Sequence, residues 1–145
     1  MKVKEIMTRD LTAVSEDTTL KEAARIMARC RFSGLPVVDD EHRVMGIITE
    51  KDIIESAFPG RFGRTDEFFV RDFAVLARRM IQVGERYVRD FMTKEAVCVT
   101  EDDTILNAAE IMLARGFKIL PVVREEKLVG VVSRAELCRS LMEEG

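Results

Sequence analysis

Thr49 and Asp52 are the residues of this chain best placed to do chemistry. Thr49 closes an apolar, β-branched run from Val44 to Ile48 and stands where a helix N-cap belongs. Asp52 falls three residues on, at the third helical position. A helix N-terminus offers free N–H groups and the positive end of a dipole to a phosphate. An ionised carboxylate can accept from both hydroxyls of a ribose, a charge-assisted arrangement. Ser133 and Glu136 repeat the spacing, and Lys118 supplies a mobile cation suited to phosphate. Apolar side chains such as Ile47 and Val97 can sandwich a flat ring. Ordinary helix capping requires the same Thr-x-x-Asp and Ser-x-x-Glu spacings, so taken alone they decide nothing.

Other chemistries find little support. The only histidine, His42, lies in a polar turn, which argues against a His-assisted nucleophile. Cys30, Cys98 and Cys138 have no metal-ligand spacing, sit among apolar neighbours and read as buried free thiols. With no metal cluster, no Gly-rich phosphate loop and no base beside a nucleophile, the expectation is a binding protein without catalysis. The formal net charge of −3 argues against a nucleic-acid partner. No apolar run approaches the length of a membrane span, and Met1-Lys-Val-Lys opens no signal-peptide core, so the expected location is cytoplasmic.

The elements that must position these residues come in two copies. Gly34-Leu-Pro-Val-Val, a charged turn and Val44 to Thr49 read as a hairpin delivering into a helix. Leu120 to Val123, a shorter turn and Leu128 to Val132 say the same before Ser133. Met7-Thr8 recurs as Met92-Thr93, Ala23-Ala24 as Ala108-Ala109, and Pro36 as Pro121, at an offset of 85 (92−7, 121−36). After the turn the offset is 84 (Gly130 against Gly46, 130−46). Residues 1–57 and 88–145 therefore read as two β-α-β-β-α repeats with a helical insert at 58–87. Neither repeat alone covers its sheet on both sides, so the two are expected to pack face to face as one α/β (α+β) unit.

Within that frame, Lys2 to Thr8 reads as a helical or extended lead-in, and Leu11 to Val14 and Ala96 to Val99 as opening strands. Thr19 and Glu22 fit a capping box, before a helix presenting Leu20, Ala23, Ala24 and Met27 on one face. Repeat two's helix runs from about Thr104 to Arg115, with Gly116 as a left-handed stop where repeat one has Arg31. Phe58 to Arg64 reads as a loop. Thr65 opens an amphipathic helix through Phe69, Phe73, Leu76, Met80 and Val83, with Gly84 as its stop. Met27, Met80 and Met112 read as core filler. Between Arg61 and Arg89 lie seven arginines against Asp66, Glu67, Asp72 and Glu85, which suits a solvated face or an anionic partner.

This repeated pattern resembles the CBS domain (named after cystathionine β-synthase), and two copies in tandem resemble a Bateman module. The resemblance rests on Val3 to Thr8, on Gly34 to Asp52, and on their echoes through Glu136. It implies a regulatory module that binds AMP, ADP or ATP, or in some members S-adenosylmethionine, between the repeats, with no cofactor required. Carried over residue by residue, the principal cleft combines Ile47, Thr49 and Asp52 with Val97, Phe117 and Lys118. The second combines Val131, Ser133 and Glu136 with Thr12, Phe32 and Ser33. Glu136 departs from the family's aspartate, which implies a weaker second cleft. A ligand-free oligomerisation or protein-interaction module is the alternative. A homodimer is expected, with Phe68, Phe69, Phe73 and Met80 as its apolar surplus, as is a target on a separate polypeptide.

Overall fold

The computed structural model describes residues 1–57, 73–94 and 97–144. In chain order it contains α1 (Leu20–Cys30), β1 (Gly34–Val38), β2 (Val44–Thr49), α2 (Glu50–Glu55), α3 (Phe73–Val83), β3 (Thr93–Lys94), β4 (Val99–Thr100), α4 (Ile105–Arg115), β5 (Ile119–Arg124), β6 (Lys127–Ser133) and α5 (Arg134–Glu144). Short 3-10 turns at Val3–Glu5 and Val88–Asp90 open the two repeats. Both hairpins form as the alternation of turn and β-branched residues predicts, with Leu35 opposite Ile48 and Leu120 opposite Val132. The sheets order as β1-β2-β3 and β4-β5-β6.

The opening strands are shorter than expected. Val14 makes a single parallel bridge to Val37, donating to Pro36 O and accepting from Val38 N. The next rung back would need an N–H from Pro36, which has none. Asp10 also diverts the chain, taking hydrogen bonds from the Thr12 N–H and hydroxyl at 2.8 and 2.6 Å. Leu11 is left 48% exposed. In repeat two the parallel strand is Val99–Thr100, and Pro121 stands at the equivalent point.

The lead-ins cross over, each packing on the sheet of the other repeat. Thr8 bridges Val131 of the second sheet, and Thr93 pairs with Ile47 of the first. Val3 and Ile6 lie in the core of Leu120, Val122 and Val132, while Val88 and Met92 lie in that of Leu35, Val37 and Ile48. Matching backbone bonds tie each crossing down, Val3 N to Asp103 O and Val88 N to Thr18 O, both at 2.8 Å. Each repeat thus completes the core of the other. Gly46 and Gly130 mark the crossings: a Cβ on Gly46 would lie 2.5 Å from Thr93 O, and one on Gly130 would strike Thr8 O. A third cluster of Ile47, Ile119 and Val131 joins the two sheets.

Several local expectations need correction. Thr19 Oγ1 accepts from Glu22 N, but the Glu22 carboxylate pairs with Arg25 at 3.7 Å, so only half the capping box forms. The buried stripe of α1 is Leu20, Ala23 and Met27, and Ala24 is exposed. Cys138 is exposed, and Cys30 and Cys98 are half-buried. Burial lifts the Cys98 thiol to about 11, which keeps it protonated and unreactive. Met27 and Met112 are core residues, and Met80 and Val83 pack half-buried against the repeat-one core. The loop at Phe58 to Arg64, the cap at Thr65, and Phe68 and Phe69 lie outside the described residues. Within the arginine-rich stretch, Arg86 pairs with Asp90 and Arg89 with Asp17.

Candidate functional site

Two neighbouring cavities open between the repeats, one over each hairpin-to-helix junction. The first, about 270 Å³, is lined by Ser33, Thr49, Glu50, Lys51, Asp52 and Glu55 from repeat one, Thr93, and the segment Arg115 to Ile119 from repeat two. The structure therefore brings Thr49, Asp52, Phe117 and Lys118 together. The two carry-overs from deeper in the sheets fall elsewhere. Ile47 is only 2% exposed and sits beneath the cavities in the inter-sheet cluster, and half-buried Val97 is not a lining residue. Ile119 forms the apolar wall instead. Its repeat-one counterpart is Gly34, whose Cβ would lie 3.3 Å from the Ile119 side chain, so this break in the repeat was a readable signal.

Capping chemistry sets the Asp52 carboxylate. Thr49 N donates to Asp52 Oδ2 at 2.9 Å while Asp52 N donates to Thr49 Oγ1 at 3.1 Å, a complete reciprocal box. Oδ1 accepts no hydrogen bond among the described residues. Burial raises the Asp52 pKa above its ordinary 3.8, opposed by the bonds from Thr49 and pushed further by nearby Glu55. Across the cavity, the Arg115 guanidinium lies 5.5 Å from the Phe117 ring centroid, and Gly116 ends α4 at φ 70°. The sequence reading missed Arg115 because its role depends on that left-handed exit.

Because burial raises its pKa, the folded state holds the Asp52 proton more tightly than the unfolded chain does. The resulting stability is complete below about pH 3.8 and is lost as pH rises through the raised folded value. Asp52→Asn keeps an oxygen for the Thr49 N–H and removes the desolvated charge. Its melting temperature relative to wild type should therefore climb between pH 4 and pH 7. Melting curves of both proteins across that range check this, and a difference that narrows with pH would contradict it.

The second cavity, about 600 Å³, is lined by Arg31, Phe32, Ser33, Lys118, Ile119, Ser133, Arg134, Ala135 and Cys138. Phe32, Ser33 and Ser133 come together there, and Thr12, Val131 and Glu136 are not among its lining residues. Thr12 is tied to Asp10, and Val131 is buried in the inter-sheet cluster. Glu136 N donates to Ser133 Oγ at 3.1 Å, but its carboxylate reaches along the helix to Arg139 at 2.6 Å. The counterpart of Arg139 is Glu55, which repels Asp52 rather than drawing it away. That reversal of sign, together with the longer Glu136 side chain, is why only the first junction closes its box.

A family model for the CBS domain matches residues 3–58 and again 88–143. This chain belongs to the CBS-domain family. The CBS pair is 34% identical over 143 residues to a 17.7 kDa protein from the bps2 3′ region of Acidianus ambivalens, covering 98% of this chain and 74% of that one. It is 31% identical over 139 residues to an inosine-5′-monophosphate dehydrogenase of Methanocaldococcus jannaschii, where the match takes in 95% of this chain and only 23% of the enzyme. Among solved structures, CBSX2 in complex with AMP superposes with a TM-score of 0.75 at 25% identity, covering 98% of this chain and 97% of that one. Another CBSX2 structure, from Arabidopsis thaliana, superposes at 0.80. No helix among the described residues is long and apolar enough to cross a membrane.

Proposed function

We propose that this CBS pair is a non-catalytic regulatory sensor that binds AMP, ADP or ATP in the first cavity and signals its occupancy to a partner protein in the cytoplasm. The observation that carries this reading is the Asp52 carboxylate, held at the cavity by a complete capping box with Oδ1 uncommitted among the described residues. A ribose diol can donate to that oxygen. The Phe117 ring and Ile119 offer apolar surface to a base, and Lys51, Arg115 and Lys118 offer cations to phosphates. The solved complex of CBSX2 with AMP supports the same ligand class. Glu50, Asp52 and Glu55 balance those cations in number, so net charge does not choose between a nucleotide and S-adenosylmethionine, and the choice rests on whether a phosphate reaches Lys51, Arg115 or Lys118. A thermal-shift panel of AMP, ADP, ATP, S-adenosylmethionine and NADH tests this. A ligand at a hundred times its dissociation constant stabilises by about 2.7 kcal/mol. Absence of any shift with the three adenine nucleotides at millimolar concentration would overturn the proposal.

The homodimer belongs to the same proposal, and the described residues offer a further candidate surface beside the expected one, of which Phe68 and Phe69 lie outside them. Met80 packs inward, whereas Leu106 and Leu113, seven residues apart on one side of α4, are 64% and 80% exposed. Ile81 and Met142 are exposed as well. Light scattering at micromolar concentration should return twice the chain mass. A mass near 16.5 kDa would remove the idea.

A further inference from the structure

Helices α1 and α4 are counterparts in the two repeats, yet the insert lies against only one of them. As the chain leaves α3, Gly84 O accepts from Lys21 N at 3.1 Å, and a Cβ on Gly84 would lie 3.4 Å from the Lys21 Cβ. The positions equivalent to Lys21 and Ala28 are Leu106 and Leu113 (106−85, 113−85). Leu106 N makes no such bond among the described residues, and the two leucines are 64% and 80% exposed. Repeat two therefore holds two large apolar side chains in water on the face that the insert borders in repeat one.

That face of α4 also carries a charge. Leu106, Glu110 and Leu113 fall at i, i+4 and i+7, on one side of the helix, and all three are exposed. The outer side of α3 has the same frame with the opposite sign. Ala74, Arg78 and Ile81 stand at i, i+4 and i+7, all exposed, Ile81 at 74%. Neither Arg78 nor Glu110 makes an ion pair among the described residues. Beside Ile81 opens a cavity of about 310 Å³ walled by Leu20, Ala24, Ile53 and Met80, with room for a protruding leucine. A contact of α4 with α4, centred on these residues, would set Glu110 against Glu110. A contact of α3 with α3 would do the same with Arg78. Only the unlike pair brings opposite charges together.

From this complementarity we infer that the exposed face of α4 is the docking site for α3 of a second copy of this chain. A two-fold axis makes the contact twice, so each chain gives one α3 face and one α4 face. At both contacts Arg78 pairs with Glu110 of the second copy, and Leu113 enters the cavity beside Ile81. The inference rests on the homodimer reading and deepens it by naming the two unlike faces that meet.

The test is light scattering of the full chain over a concentration series, with wild type, Arg78→Glu and Glu110→Arg. Each reversal sets like charges against one another at both contacts, so the dimer dissociation constant should rise by about tenfold or more. An equimolar mixture of the two variants restores opposite charges at both contacts and should dimerise about as tightly as wild type. Raising the salt should weaken wild type and mixture alike. Thermal melting at a concentration where every protein is monomeric should not distinguish the variants from wild type, since both side chains are exposed. Leu113→Asp should also weaken the dimer, and mixing it with either reversal should restore nothing. A wild-type dimer that neither reversal weakens, or a mixture no tighter than its components, would overturn the inference and leave the homodimer on another surface. A monomeric wild type would overturn both, and would leave the α4 face to a different protein.

Discussion

Asp52→Ala is expected to lower AMP and ATP affinity by ten- to a hundredfold while leaving the fold intact. Among the three carboxylates that line the first cavity (Glu50, Asp52 and Glu55), Asp52 is the one whose position is fixed by a hydrogen bond, which leaves its second oxygen aimed for a ligand. A hydrogen bond to a charged group is worth roughly 1.5–3 kcal/mol, which converts to that range of affinity. Alanine also removes the acceptor for the Thr49 N–H, so α2 should loosen by about 1 kcal/mol. Asp52→Asn separates the two effects, because it keeps the cap and loses the charge. Titration of wild type and both variants with AMP checks the point. The reading fails if Asp52→Ala binds AMP as wild type does, or if Glu136→Ala is the variant that abolishes binding.

The second large effect concerns folding. Alanine at Gly46 or Gly130 should destabilise by about 1–3 kcal/mol, as overpacking against a fixed neighbour does. In both cases the obstacle is a backbone carbonyl, Thr93 O or Thr8 O, and backbone does not swing aside as a side-chain tip would. For a chain of this size the melting temperature should drop by roughly 3–10 °C. Gly84→Ala is the control, since its nearest neighbours lie at 3.4 Å, an ordinary contact. Equal melting temperatures for all three variants would mean that the crossings do not pack as described.

What could be read from the chain was what local chemistry decides. Both hairpins, the caps at Thr49 and Thr104, and the Gly116 stop depend on residues within a few positions of one another. The Leu11 to Val14 strand was misread because a proline on a neighbouring strand removes the donor it needed, and strand propensity carries no information about that partner. The exchange of lead-ins was equally hidden. Its trace was the pair Gly46 and Gly130, standing at matched positions without a turn to explain them. Thr49, Asp52, Phe117 and Lys118 do stand together at the first cavity, as the family resemblance implies, and their binding of a ligand is the proposal. Arg31 and Arg115 were not named, since their place depends on how two helices end, and Ile47, which the resemblance puts in the cleft, lies in the layer beneath the cavity wall.

The exchanged lead-ins also govern the order in which the molecule can be assembled as it is made. Met1 to Thr8 are made before the rest of the pair, yet their partners are Asp103, Ile105 and Val131, all in repeat two. Closing contacts that distant costs loop entropy before any packing offsets it. The first sheet meanwhile waits for Val88 and Met92 to cover its core. Repeat two must therefore be at least begun before the first core is whole, and the Met1 to Thr8 lead-in docks only once the second sheet exists.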